Sequence, residues 1–216
     1  MLSNAYYYIY LHGFASAPTS AKAVFIKDKF KQCGIDLDIP DLNQDDFANL
    51  TLSRTIELIT GLIKKRNRPT IIFGSSLGGL SSAIVSENLP NVEKMILLAP
   101  AFNIRNHFSN TIAKVDLEKW KSQGKIEVYH YGANKNLELN YQFWDDLNKH
   151  DDCNFNKQIP ALIIHGVNDQ VIPIQSSYDY LARNRLAHLI EFEDGHSLDN
   201  DLETLWDNIA DFCIRN

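Results

Sequence analysis

Five residues, Gly74-Ser75-Ser76-Leu77-Gly78, match the pattern G-x-S-x-G. The pattern describes a serine on a strained corner between a strand and a helix, too sharp for side chains two residues before or after it. It selects Ser76 over Ser75, because Ser76 is the central residue. A serine held there near a helix N-terminus can attack a carbonyl carbon if a base removes its proton. Gly195-His196-Ser197 offers that base, and Asn168-Asp169 offers a carboxylate to hold the imidazole in one tautomer. Asp194 is a second candidate acid. It is only two residues from His196, however, whereas a separate loop can reach the ring's Nδ1 freely, so Asp169 is favoured. The competing reading of Gly74–Gly78 is a phosphate-binding turn, but it lacks the lysine of a P-loop and the spacing of a dinucleotide fingerprint.

Such residues need a scaffold. Tyr6 to Leu11 is a short apolar run that reads as a buried strand entering His12-Gly13-Phe14. A helix is expected from Pro18 to about Gln32, and a strand from Ile35 to Ile39. A further helix is expected from about Ser53 to Asn67, with Ile56, Ile59, Leu62 and Ile63 on one face. Thr70 to Phe73 is a strand, and Leu77 to about Asn88 a helix. Met95 to Leu98, Ala161 to His165 and Leu189 to Phe192 complete the strands. Asp199 or Asn200 is expected to cap a last helix carrying Leu202, Leu205, Trp206, Ile209 and Phe212 at helical spacing. Apolar strands alternating with amphipathic helices imply an α/β fold, a mostly parallel twisted sheet with helices on both faces. Ser76, Asp169 and His196 each follow a predicted strand, at the end where such folds place their sites. The loop after the first strand and the residue after the serine then supply oxyanion donors. These are the N–H groups of Phe14 and Leu77; His12 is read as ordering its loop.

The alternation breaks between Ala101 and about Gln158. The spacing there predicts a β-hairpin, Ile126 to Tyr131 with Leu137 to Tyr141, inside an insertion at about 102–158. Its aromatics Trp120, Tyr141, Phe143 and Trp144 either line an acyl pocket beneath this lid or form the lid's own small core. Residues 1–216 read as a single domain that carries this insertion.

A net charge of -6 over 216 residues argues against nucleic acid, since phosphate binding needs clustered Lys and Arg. The longest basic cluster, Lys64-Lys65-Arg66 with Arg68, complements the end of a helix. Cys33, Cys153 and Cys213 are odd in number and far apart, which suits a reducing compartment. The start lacks the positive region of a signal peptide, and no apolar run is long enough for stable membrane association, so a cytoplasmic location is expected. His107, His130, His150 and His188 show no ligand spacing, and neither a metal nor a cofactor is implied.

The order Ser76, Asp169, His196 is the Ser–acid–His order of α/β-hydrolases. The chain resembles the small YqiA-like, UPF0227-related esterases of that superfamily. The likeness rests on Leu11-His12-Gly13-Phe14-Ala15-Ser16-Ala17-Pro18 with Ser20 and Lys22-Ala23, then Gly74 to Gly79, His165-Gly166 to Asp169, and Gly195-His196. It implies a compact α/β-hydrolase sheet and an esterase acting on a small-molecule acyl ester through an acyl-enzyme. A thioesterase or a serine peptidase would use the same groups. A non-catalytic hydrolase-fold protein binding a small molecule is the reading outside enzymes. Neither substrate identity nor oligomeric state is legible at this level.

Overall fold

The computed structural model describes residues 3–111, 116–150 and 154–215. A six-stranded, wholly parallel sheet is built from β1 (Tyr7–Leu11), β2 (Leu37–Asp38), β3 (Thr70–Ser75), β4 (Val92–Leu98), β7 (Ala161–Gly166) and β8 (Ala187–Phe192). Their order is β2-β1-β3-β4-β7-β8. The chain therefore moves outward from β1 to β2 and returns to β3 on β1's other side. That reversal opens a crevice at the carboxyl ends of β1 and β3.

Side chains alternate across each strand and separate two cores. Tyr7, Ile9, Leu11, Ile72, Leu97 and Ile163 face one side, where α2 (Leu52–Arg66) and α3 (Leu77–Asn88) pack through Ile59, Ile63, Leu80 and Ala83. Tyr8, Tyr10, Ile71, Phe73, Ile96 and Leu162 face the other. There α1 (Ala21–Gln32) and α8 (Leu202–Arg215) supply Ile26, Phe30, Leu205, Trp206 and Ile209. Strands buried on both faces are why their sequences read as continuous apolar runs.

Several boundaries differ from expectation. The second strand is cut to two residues, because only Leu37 and Asp38 lie against β1. Asp201, not Asp199 or Asn200, caps α8: its carboxylate accepts the Thr204 N–H at 3.0 Å and the Thr204 hydroxyl at 2.7 Å. Asn200 instead donates its N–H to Asp194. A helix that the sequence did not announce, α7 (Gln175–Leu181), connects β7 to β8.

Between β4 and β7 come α4 (Ile104–Thr111), α5 (Leu117–Gln123), the antiparallel hairpin β5 (Lys125–His130) and β6 (Lys135–Asn140), and α6 (Gln142–Leu147). The predicted hairpin is thus present. Its apolar residues do not form a separate cluster. Phe108, Trp120, Val128, Leu139, Phe143 and Leu147 are continuous with the core on the α2–α3 side. No described helix is long and apolar enough to cross a membrane. Cys33 and Cys213 are free thiols, while Cys153 lies outside the described residues.

Candidate active site

β3 runs straight into α3, and Ser76 sits at the joint with φ 53° and ψ -117°. A non-glycine residue held there is strained by on the order of 1–3 kcal/mol and persists only where its surroundings over-determine it. They do. The Ser76 N–H donates to Leu98 O at 2.9 Å, and Ser76 O accepts from Gly79, Leu80 and Ala101 at 2.8–3.1 Å. The flanking glycines are required by contact. A Cβ on Gly74 would lie 2.3 Å from Gly78 O, and one on Gly78 would lie 2.2 Å from Leu11 O.

Three elements converge on this corner. The loop after β8 brings His196 Nε2 to 2.9 Å from Ser76 Oγ. The turn after β7 brings Asp169 Oδ2 to 2.7 Å from His196 Nδ1. A carboxylate only accepts, so Nδ1 carries the hydrogen and the Nε2 lone pair faces the serine hydroxyl. The Asp169 side chain has no solvent exposure, whereas His196 retains 23%. Burial alone would raise the pKa of Asp169. Hydrogen bonds from His165 and His196, the His196 charge and the Ile172 N–H together hold it well below the usual carboxylate range.

Asp194, the rival acid, is turned to another task. Its Oδ1 accepts the Gly195 N–H at 2.6 Å and its Oδ2 the Asn200 N–H at 3.0 Å, which folds the loop that carries His196. Asp194 O also receives the Asn168 N–H, tying that loop to the Asp169 turn. Lys22, from the first turn of α1, donates Nζ to Ser197 O at 2.5 Å. Burial lowers its pKa to about 8 against the opposing pull of Asp199, Asp194 and Asp169.

His12 does order its loop. Nε2 accepts the Leu42 N–H at 3.0 Å, leaving Nδ1 to donate to Gly13 O, and burial lowers its pKa. The next residues lie against the serine, since a Cβ on Gly13 would sit 3.3 Å from Ser76 Cβ. Among the described residues, the N–H groups of Phe14 and Leu77 donate to no protein acceptor. The hairpin and the loop after β2 clasp this segment: Tyr131 N–H donates to Ala15 O, and Asn43 Nδ2 to Ser16 O.

The four insertion aromatics divide. Trp120 is wholly buried, stacked on Phe108 at 5.7 Å, edge-on to Tyr141, with its indole N–H on Leu139 O. Phe143 is also wholly buried, its ring 5.2 Å from that of Phe14. These two are packing residues here. Tyr141 and Trp144 are only partly buried and retain free surface.

The sequence profile of the Uncharacterised protein family (UPF0227) matches residues 7–213. The chain belongs to the UPF0227 family. Among curated relatives, a Mycoplasma genitalium protein named "Putative esterase/lipase 2" is 26% identical over 217 residues, covering 87% of this chain and 80% of the relative. Among solved structures, Est1E from Butyrivibrio proteoclasticus with ferulic acid bound superposes with a TM-score of 0.82 at 19% identity, over 96% of this chain and 87% of that one. Mouse alpha/beta hydrolase domain-containing protein 10 gives 0.79 at 19% identity, over 98% and 90%. This UPF0227 member therefore has the α/β-hydrolase fold.

Sequence reasoning assigned no role to His165. In this UPF0227 chain it is fully buried, with Nε2 3.1 Å from Asp169 Oδ2. Its signals in the sequence are its place at the end of a strand, four residues before the acid, and its part in the His165-Gly166 block that carries the family resemblance.

Proposed function

We propose that this chain is a carboxylic ester hydrolase working through an acyl-enzyme on Ser76. The observation that carries the reading is the unbroken hydrogen-bonded series from Ser76 Oγ through both nitrogens of His196 to Asp169, whose side chain is shut off from solvent. The esterase/lipase names of the curated relatives support an ester as the bond cleaved.

In this mechanism Ser76 Oγ attacks the acyl carbonyl while His196 Nε2 takes its proton. The oxyanion of the tetrahedral intermediate is received by the free N–H groups of Phe14 and Leu77. His196 then passes its proton to the departing alkoxide, which leaves as an alcohol. A water gives a proton to His196 as it attacks the acyl-enzyme carbonyl; His196 then returns that proton to Ser76 Oγ as the acyl–oxygen bond breaks, releasing the carboxylic acid and restoring both groups. Asp169 holds the Nδ1–H tautomer and stabilises the transient imidazolium. The insertion at about 102–158 is proposed as a lid, with Tyr141 and Trp144 offering its ligand-facing aromatic surface. Phe143 acts indirectly, by seating Phe14.

The test is labelling with a small fluorophosphonate, with the modified peptide located by mass spectrometry, alongside hydrolysis of a series of 4-nitrophenyl esters. The expected result is a single label on Ser76 and turnover that Ser76→Ala abolishes. A label elsewhere, or turnover that survives Ser76→Ala, overturns the assignment.

A further inference from the structure

Asp169 serves two histidines. Its Oδ1 accepts the N–H groups of Val171 and Ile172 at 2.8 and 2.9 Å. Its Oδ2 accepts from His196 Nδ1 at 2.7 Å and from His165 Nε2 at 3.1 Å. A carboxylate has about four lone-pair sites, so this one is filled and cannot rotate without losing a partner. His165 Nε2 also lies 2.9 Å from Ile172 O. Both of its neighbours are pure acceptors, so Nε2 must carry a hydrogen. On the ring's far side, Nδ1 is 2.7 Å from the hydroxyl of Ser177, a fully buried residue of α7. Five side chains thus form one series, Ser177–His165–Asp169–His196–Ser76, with the carboxylate at its centre.

We propose that His165, backed by Ser177, is a positioning residue for the chemistry at Ser76. It fixes the plane of the Asp169 carboxylate toward His196 and takes up part of the negative charge that Asp169 would otherwise direct at His196 alone. This inference rests on the reading of Ser76 as the nucleophile. The alternative is a core histidine satisfied by Ile172 O and Ser177. It leaves unexplained why Nε2 also lies within hydrogen-bond reach of the same oxygen that His196 uses.

Other charges facing the carboxylate and His196 come from neighbouring elements. The one that interacts with Asp169 is Lys22 of α1, whose Nζ is on Ser197 O and which also feels Asp199 and Asp194. None of them replaces a donor on Asp169 Oδ2. Without His165 the carboxylate presents its full charge to the His196 ring. The protonated, inactive form of His196 is then favoured, and the acid limb of the rate profile moves up in pH.

The experiment follows 4-nitrophenyl acetate hydrolysis and fluorophosphonate labelling of the full chain from about pH 5 to about pH 9. The variants are His165→Leu, His165→Gln and Ser177→Ala. His165→Leu should lower kcat by roughly tenfold or more with KM little changed, since loss of alignment by ~1 Å costs up to about 10²-fold. Its acid limb should rise by roughly half a pH unit. His165→Gln, whose Nε2 can donate in place of the imidazole, should return the limb to its wild-type place. Ser177→Ala should shift it in the same direction by less. A limb that stays put in His165→Leu, or that moves equally in the Leu and Gln variants, overturns the inference. If His165→Leu does not fold, Ser177→Ala decides, and an unmoved limb there overturns it. Wild-type protein without a label on Ser76 would overturn the underlying reading as well; a labelled Ser76 with an unmoved profile overturns only the role of His165.

Discussion

Two groups of serine, histidine and aspartate among the described residues contrast: the one at Ser76 is arranged for proton transfer to its histidine, and the one at Ser53 is not. In the first, the His196 ring lies between Ser76 and Asp169, one nitrogen to each. In the second, Asp146 Oδ1 lies 2.8 Å from Ser53 Oγ, its Oδ2 2.7 Å from Ser53 N, and His150 Nε2 is 2.9 Å from the same hydroxyl. There the carboxylate claims the serine proton directly. His150 Nε2 must therefore donate to Ser53 Oγ and cannot accept from it. Ser53 sits in the first turn of α2, where backbone N–H groups lack helical partners, and Asp146 supplies the missing acceptor from the insertion. The second cluster is a clasp between insertion and body. The same residue types form the series proposed to activate Ser76 and a helix cap at Ser53, and the two differ in which group stands in the middle.

The sharpest test of that contrast replaces each serine. Ser76→Ala should reduce kcat by about 10⁴–10⁶-fold and remove fluorophosphonate labelling with little loss of stability. Ser53→Ala should leave labelling intact. Labelling that depended on Ser53 would erase the distinction.

Replacing the two acids separates chemistry from stability. Asp169→Asn should lower kcat by about 10⁴-fold through the wrong His196 tautomer. Asp146→Asn should leave kcat within a few-fold but cost about 1.5–3 kcal/mol in urea unfolding for its charge-assisted bonds. Equal kinetic damage from both substitutions would contradict the comparison.

Both carboxylates also predict how stability follows pH. Burial raises the pKa of Asp146, but bonds from the Ser53 N–H and hydroxyl, the His150 charge and Lys149 outweigh it, and the net shift is downward. Asp169 is shifted downward too. Each therefore adds stability that is fully present above the unfolded carboxylate value of about 3.9 and is lost as pH falls below it. The urea midpoint should drop from about pH 5 toward pH 2, and Asp146→Asn should flatten that slope. An unchanged slope would show that the clasp is not ionised in the way its hydrogen bonds require.

The smallest effect concerns the insertion as a wall. A methylene transferred from water to an apolar surface gains about 0.8 kcal/mol, so kcat/KM should rise by up to about fourfold per acyl carbon until the surface is filled. Trp144→Ala should flatten that rise across a 4-nitrophenyl ester series. Trp120→Ala should instead cost about 3–5 kcal/mol of stability, as a buried ring lost from a core. An acyl profile unaltered in Trp144→Ala would remove that residue from the substrate surface.

The parallel sheet, the helices α1, α2, α3 and α8, and the order of Ser76, Asp169 and His196 were legible in the sequence, because each depends on local pattern; α7 was not. Apolar runs mark strands buried on both faces, helical spacing marks the layers around them, and Gly74 and Gly78 mark a corner that tolerates no side chain. The hairpin of the insertion was legible for the same reason. Local pattern favours Asp169 as the acid that meets the histidine, but it could not show what Asp194 does instead. Asp194 is nearer in sequence, yet the Gly195 and Asn200 N–H groups occupy it, while Asp169 arrives from a separate strand. Nor could it place His165 behind that acid or distinguish Trp120 in the core from Trp144 at a surface. It also could not foresee that Ser53 would find a carboxylate 93 residues away. Hydrogen bonds between distant segments are set by how whole layers pack, and residue spacing carries no record of them.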